Sequence, residues 1–269
     1  MKINTLLLLI LLLFLFNCKK PESQKVNDEL MIEAYDYRYM DYDGSILVNY
    51  IDSDNLIWLE YNTSNKLAKR IGGVRQLSAT SGYDYQITNE VFDEITYTNN
   101  EIKVDRINNH DNNTAQYTRE FILENDRISR MIVTDVAAQT KDTVDYSYDS
   151  LGRLSQRIDL KYYNTYPSSE ITSNFYFNQN LDSIITTYVS PWDGSVEKIV
   201  KDIFSNYDTT ANPLKNLIIF DETFNRSLSE NNYAKHEEYT YTPDNELTWT
   251  HIRTWGFYYD EDGNISYGN

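Results

Sequence analysis

The sequence has one cysteine, five prolines and three histidines among its 269 residues. A single cysteine excludes an intramolecular disulfide, so a packed core must hold the fold together. His110, His236 and His251 form neither an HExxH nor a His-x-His pattern, so no metal site is predicted. The GxSxG, P-loop and GxGxxG motifs are also absent, so we assign no catalytic residue and expect no cofactor.

Positive charge is also scarce, because 24 Lys and Arg face 41 Asp and Glu for a formal net charge of −17. Proteins that bind nucleic acid neutralise phosphates with Lys and Arg, so no nucleic-acid partner is expected. The length suits one all-β domain as well as two smaller domains.

Long apolar runs are missing except at residues 6–16 (LLLLILLLFLF). Eleven apolar residues match the core of a signal peptide and fall short of the roughly 20 needed for a membrane-spanning helix. Residues 1–17 are therefore predicted to be a signal peptide. The polar stretch 18–30, with Pro21, is interpreted as a flexible tether, and residues 31–269 as a single domain.

Cys18 directly follows this leader, and Leu15 stands three residues before it. This arrangement resembles the bacterial lipobox, which implies that Cys18 is the site of lipid attachment and that the protein partners with a membrane through its N-terminal lipid. Lys19 after the cysteine resembles the sorting signal of outer-membrane lipoproteins. The expected location is the outer membrane, on its periplasmic face or at the cell surface.

Residues 146–154 (YSYDSLGRL) predict two strands around a tight turn. Val144, Tyr146 and Tyr148 alternate with polar residues, which is typical of a strand with one buried face. Gly152 is able to take the positive φ that a tight turn needs. Similar units, an aromatic or apolar residue followed by a polar turn and an apolar residue, occur at 61–67, 97–102, 123–128, 148–154, 177–181, 207–214, 241–247 and 259–265.

Eight such units predict an all-β fold, an antiparallel meander of repeated β-hairpins with about 14–18 strands. Open twisted sheets rarely exceed about ten strands, so the sheet is expected to roll or close into a barrel-like or shell-like single domain. The 24 tyrosines suit cross-strand packing in such a sheet. Only residues 213–232 break the rhythm, and they are predicted to form a long loop with one helical turn.

The YDSLGRL segment is similar to the YD or Rhs-type repeat, whose units wind β-strands into shells or sheets. The lipoprotein leader, the successive YxYDxxGxL hairpins, the NPLKNL and SENN segments and the final YYDEDG together resemble a Bacteroidetes family of uncharacterised lipoproteins with a porin-like β fold. This resemblance implies the fold and the membrane anchor, and it implies no activity.

Four tryptophans are the candidate ligand-binding residues: Trp58, Trp192, Trp249 and Trp255. Aromatic faces stack on sugar rings, although packing in the core or across strands explains a given tryptophan more often. Trp192 is expected to be exposed because it lies in the turn-forming sequence Pro-Trp-Asp-Gly. A glycan or another envelope protein is the candidate partner.

Two weaker patterns concern small sites. Asp-Ser/Thr-apolar triplets resemble the O-glycosylation sites of exported Bacteroidetes proteins, and they predict sugars on Thr143, Ser150, Ser183 and Thr209. The acidic turns at 41–44 and 260–264 have partial calcium-loop spacing but lack the bidentate glutamate that completes an EF-hand. Hairpin turns need the same Asp, Gly and Asn residues.

The sequence thus favours a lipid-anchored, non-enzymatic binding or scaffold module of the cell envelope. A secreted envelope enzyme acting on polysaccharide is the alternative. A concave pocket with converging carboxylates would favour the enzyme, and a flat or closed surface with exposed tryptophan would favour binding.

Overall fold

A computed structural model describes residues 31–37, 40, 48–49, 56–76, 85–109, 113–135, 140–163, 166–259 and 265–266. The chain divides into two units, Met1–Met31 and Ile32–Asn269, and every element below lies in the second. The predicted signal peptide, Cys18, the tether and His110 lie outside the described residues, as do the acidic turns at 41–44 and 260–264 apart from the strands that flank the second turn.

The described residues form 17 strands and one helix. The strands are β1 (Ala34–Asp36), β2 (Val48–Asn49), β3 (Leu56–Tyr61), β4 (Leu67–Gln76), β5 (Tyr85–Tyr97), β6 (Glu101–Asn108), β7 (Asn113–Glu124), β8 (Arg127–Asp135), β9 (Thr140–Tyr148), β10 (Leu154–Tyr163), β11 (Tyr166–Phe177), β12 (Leu181–Val189), β13 (Val196–Tyr207), β14 (Tyr233–Tyr241), β15 (Leu247–Thr254), β16 (Tyr258–Tyr259) and β17 (Ile265–Ser266). The helix α1 spans Asp221–Ser227. None of the described helical residues forms a segment long and apolar enough to cross a membrane.

One antiparallel meander contains almost all of these strands. From β3 to β15 each strand pairs with the next along the chain, β1 pairs with β3 at one edge, and the two-residue β2 pairs in parallel with β5. The strands β16 and β17 form a separate hairpin. No ladder joins β1 to β15 within the described part of the chain, so the sheet is an open one. The predicted all-β meander and its strand number are confirmed.

The sheet curls around helix α1. Glu222 accepts a hydrogen bond from Tyr35 on β1, while Phe224 packs against Phe175 on β11 with ring centroids 6.1 Å apart. Nine strand spacings separate β1 from β11, which is about 40 Å along a flat sheet. The two helical residues are only about 3 Å apart along the helix axis. The strands must therefore bend around the helix, and their inner faces share one core with it.

Seven of the eight predicted hairpin units are present, and three of them use one turn geometry. Asp149 accepts hydrogen bonds from the backbone of Leu151 and Arg153, and Gly152 takes φ +81°. The turn at 61–67 repeats this with the Asn62 side chain, and the turn at 241–247 keeps one such bond through Thr242. In both of these turns an Asn at positive φ occupies the position that Gly152 has in the turn at 148–154. The YDSLGR signature is thus a turn sequence.

In the units at 61–67, 148–154 and 207–214, the opening tyrosine donates a hydrogen bond to the backbone of the preceding hairpin. The hydroxyl of Tyr148 donates to the carbonyl of Ile128 at 2.8 Å, and that of Tyr61 donates to Ile32 at 3.0 Å. Tyr207 donates to Leu181 in the same way. A tyrosine at the end of one strand therefore satisfies a backbone acceptor at or just before the start of the neighbouring strand, which joins successive units.

The unit at 207–214 was wrongly predicted as a tight hairpin. Its chain leaves β13 at Tyr207 and returns in β14 only at Tyr233, and Leu214 is fully buried beneath the sheet. The Asn212 side chain donates to the carbonyls of Arg226 and Ser229 and turns the chain inward. The wider prediction, a long connection at 213–232 with a helical turn, is confirmed by α1.

Candidate functional site

Charged residues occupy inward positions of several strands, between apolar ones. On β5 the buried series Val91, Asp93 and Ile95 points inward, and on β7 Arg119 and Phe121 do the same. Lys, Arg, Asp and Glu are almost never fully buried without partners. Their presence on the inner face therefore indicates that this face contains paired charges as well as a hydrophobic core.

A network of ion pairs connects β4, β5 and β6 to the start of α1. Asp93 lies directly across the ladder from Arg106 and accepts its hydrogen bonds at 2.9 and 3.2 Å. Arg70 donates to Asp93 at 3.1 Å and also pairs with Glu222, which in turn accepts from Tyr35 at 2.8 Å. The network fastens the helix to the sheet.

Burial and charge act in opposite directions on the carboxyl groups of this network. Burial opposes ionisation of Asp93, but Arg106 and Arg70 outweigh it and hold the pKa of Asp93 below its usual range. Burial likewise opposes ionisation of Glu222, and Arg70 with the Tyr35 hydroxyl holds its pKa below the usual range. Both groups are therefore charged at neutral pH, and their ion pairs with arginine hold α1 against the sheet.

Arg119 joins this network incompletely. Its side chain is 2% exposed, and its Nη1 lies 3.5 Å from Asp221 Oδ2. Its Nε and Nη2 have no hydrogen-bond partner among the described residues. The guanidinium lies near the rings of Tyr117 and Phe220, with centroids 5.9 and 5.7 Å away. Aromatic faces thus stabilise its charge in part.

Next to this network the inner face forms a cavity of about 500 Å³. Strands β7 to β13 form its wall, and α1 closes one side with Asp221, Phe224 and Asn225. The wall combines aromatic, hydroxyl and charged groups, chiefly Tyr117, Asp142, Arg157, Asp159, Lys161, Ser173, Thr186, Tyr188 and Asp202. A cavity of this size is in the range of small-molecule sites.

Several of these wall residues are already held in place. Arg157 binds Asp159 at 2.5 Å, and its guanidinium lies 5.1 Å from the Phe224 ring centroid. Asp142 accepts from the backbone of Tyr162 at 2.8 Å. Asp202 bonds to His236 at 2.8 Å. A polar cavity with fixed side chains is preorganised for a ligand.

Asp159 differs from the other carboxylates. Burial raises its pKa above the usual range, although Arg157 opposes the shift. Burial also raises the pKa of Tyr188, with Asp202 adding to the effect. The cavity therefore presents hydroxyl donors, carboxylate acceptors and aromatic faces together, a combination that fits a polyhydroxylated molecule.

The four tryptophans lie on different elements. Trp192, in the turn between β12 and β13, is 75% exposed. Trp58 on β3 and Trp249 on β15 are 41% and 46% exposed. Trp255, which follows β15, packs against Tyr233 and stacks with the Arg226 guanidinium at 4.5 Å. None of the four lines the cavity.

The four candidate O-glycosylation residues differ in accessibility. Ser150 and Thr209 are exposed, in the β9–β10 turn and just after β13. Ser183 is buried on β12, and Thr143 is half-buried on β9 and lines the cavity. Sugar transfer to the folded chain would therefore reach Ser150 and Thr209 first.

Sequence reasoning missed the cavity residues apart from Thr143, which it selected as a glycosylation site, because it sought sites in turns and in rare residue types. A usable pattern marks the neighbouring ion-pair network instead: in strands with one apolar face, a charged residue at an inward position interrupts the apolar series, as Asp93 does in VxDxIxY and Arg119 does in YxRxF. Within the described residues, no group of three or more His, Cys, Asp or Glu side chains is arranged to hold a metal ion.

No family model matches the chain, and neither does any curated protein. The structure is similar to that of a porin-like protein from Bacteroides vulgatus ATCC 8482, with a TM-score of 0.48, 11% identity and coverage of 78% of this chain and 84% of that chain. It is also similar to a porin-like protein from Bacteroides uniformis ATCC 8492, with a TM-score of 0.47, 13% identity and coverage of 80% and 82%.

Proposed function

We propose that the protein is a lipid-anchored, non-enzymatic binding module of the bacterial cell envelope, and that it holds a glycan in the inner-face cavity. The anchor is the lipid predicted on Cys18, and the predicted location is the outer membrane. The observation that carries the binding role is the cavity itself, in which aromatic rings and fixed hydrogen-bonding groups lie together.

The chemistry of the wall supports a carbohydrate ligand. Sugar hydroxyls both donate and accept hydrogen bonds, and the wall offers carboxylate acceptors, a lysine donor and the hydroxyls of Ser173 and Thr186. The rings of Tyr117, Tyr188 and Phe224 supply apolar faces for the sugar ring. Hydrogen bonds from sugar hydroxyls to a charged carboxylate are stronger than those to a neutral acceptor. The carboxylates of the wall are also partly shielded from water.

The test is calorimetric titration of the full chain, purified in detergent, with a panel of neutral disaccharides to hexasaccharides. Asp142→Asn removes the charge and keeps an acceptor for the Tyr162 backbone, so the variant should fold. We expect it to weaken binding about tenfold. Asp182→Asn, exposed on β12, is the matched control and should bind as the parent does. Absence of heat with every glycan would sink the proposal.

One observation favours an enzyme acting on polysaccharide as the second candidate. Carboxylates converge on a concave cavity, and Asp159 has a raised pKa, as a general acid needs. Against this, the Asp159 carboxylate is bound to Arg157 at 2.5 Å, which leaves it less free to deliver a proton.

Product analysis separates the two candidates. If the protein binds glycans without cleaving them, every glycan that binds should be recovered intact after prolonged incubation with the parent protein. New reducing ends that appear with the parent and disappear in Asp159→Asn would establish the enzyme instead.

A further inference from the structure

The inner face of the sheet continues past the cavity onto β14 and β15. Asp202 on β13, which lines the cavity, lies directly across from Glu238 on β14, and Glu238 lies directly across from His251 on β15. Directly opposed residues of antiparallel strands point to the same face. His251 is therefore on the same face as the cavity, about 10 Å away across two strand spacings.

Trp249 belongs to this same inner surface. It lies two residues before His251 on β15, and alternation places both side chains on one face. Their rings are in contact, with centroids 5.4 Å apart at 72°. Trp249 lies directly across from Thr240, Thr240 lies across from Val200, and Val200 lies across from Thr186, so this row leads back to the cavity wall.

Trp249 is more exposed than the inner residues that pack under α1. Inner residues under α1 are buried, such as Phe121 at 2% exposure, whereas Trp249 is 46% exposed. At this end of the sheet, the Arg226 guanidinium of α1 contacts Tyr233, at the start of β14, and Trp255, which follows β15. An aromatic face thus stands open at the edge of the surface that holds the cavity.

We propose that Trp249 and His251 form a second subsite of the same groove, and that the ligand is an extended glycan chain which runs from the cavity across β13 and β14 to β15. This inference rests on the proposed glycan-binding function and adds to it the length and direction of the ligand. One sugar occupies the cavity, and a later sugar of the same chain stacks on Trp249.

The experiment compares neutral disaccharides with hexasaccharides of the same linkage, titrated into the full chain. The parent should bind the hexasaccharide about tenfold more tightly, because stacking on one aromatic ring adds that much affinity. Trp249→Ala should bind both lengths equally, and Trp249→Phe should keep part of the difference. Ile252→Ala, on the opposite face of β15 and also exposed, is the matched control and should leave it unchanged.

The outcomes separate the two proposals. If the hexasaccharide binds no more tightly than the disaccharide, or if Trp249→Ala keeps the difference, the second subsite is wrong and the cavity proposal stands. If no glycan of either length binds the parent, the proposed function fails and the subsite fails with it. Thermal unfolding of each variant verifies that the compared proteins are folded.

Discussion

Two arginine–aspartate pairs bridge neighbouring strands of the sheet and differ in burial and in the number of arginines around the aspartate. Asp93 opposes Arg106 on the inner face and is 0% exposed, while Asp145 opposes Arg130 on the outer face and is 40% exposed. Asp93→Asn removes the buried carboxylate that neutralises Arg106 and one of the two that pair with Arg70, and it should lower the free energy of unfolding by about 3–5 kcal/mol. Asp145→Asn should cost no more than about 1 kcal/mol. Urea unfolding measures both, and equal losses would contradict the assigned role of burial.

Tyrosine hydroxyls that join hairpins make a separate contribution at this scale. Tyr148→Phe removes the donor that serves the Ile128 carbonyl, and we expect a loss of about 1 kcal/mol in the free energy of unfolding. Tyr176→Phe, at a residue 48% exposed on β11, should change it by a few tenths at most. Thermal and urea unfolding of the two variants give the comparison, and a cost at Tyr176 that matches Tyr148 would refute this role.

Residues also show how far the sequence can predict the site. Alternation in YSYDSLGRL identified Tyr146 and Tyr148 as inward-facing, because that property is local. It did not reveal that Arg157 and Asp159 line a cavity with Asp202, which lies some 40 residues away. Their meeting depends on how strongly the sheet curls around the helix, and that curl involves contacts between residues far apart in the sequence.

Among the elements, the connection between β13 and β14 depends most on one side chain. Asn212 is 6% exposed, donates to the carbonyls of Arg226 and Ser229 and accepts from the backbone of Leu214 at 3.0 Å. Asn212→Asp replaces two donors by a negative charge that faces two carbonyl oxygens. We expect a loss of about 3 kcal/mol or more in the free energy of unfolding.

The control for this prediction lies in the same connection. Asn216 is exposed, so Asn216→Asp introduces the same charge without facing buried acceptors, and its cost should be small. Urea titrations of both variants decide the matter. A similar cost at Asn216 would mean that charge alone, and not the inward turn held by Asn212, governs the stability of this connection.

Elements were predicted well where their causes are local. Polar turns rich in Asn, Asp or Gly identified seven hairpins, since such turns need few residue types. In four of these turns the structure places an Asn, Asp or Gly at positive φ. The unit at 207–214 has the same appearance, but the buried Leu214 and the Asn212 side chain direct it beneath the sheet. Contacts made with residues 12 or more positions away decided that case.

At the scale of the molecule, the inner face combines two kinds of stabilisation. Apolar and aromatic side chains form a core around α1, and the network of Arg70, Asp93, Arg106 and Glu222 fastens the helix to the strands that curl over it. The curl brings β10 and β13 to one cavity, and the network holds the helix whose residues Asp221, Phe224 and Asn225 line that cavity.

The shifted pKa values of the buried carboxyl groups predict how stability changes with pH. The folded-state pKa values of Asp93 and Glu222 lie below the unfolded-state values of 3.8 and 4.5, so both groups stabilise the fold above about pH 5. That stabilisation is lost as the pH falls through the folded-state values. The raised pKa of Asp159 acts in the opposite direction and offsets part of the loss.

We therefore expect the free energy of unfolding to be nearly constant between about pH 7 and 5 and to fall steeply below about pH 4. Glu222→Gln should be less stable at neutral pH and show a shallower fall, by up to about 1.4 kcal/mol per pH unit, because one titrating group is gone. Glu246→Gln, in the exposed turn before β15, should keep the parent slope. Urea unfolding at a series of pH values measures the slopes, and a parental slope in Glu222→Gln would show that the buried network does not drive acid unfolding.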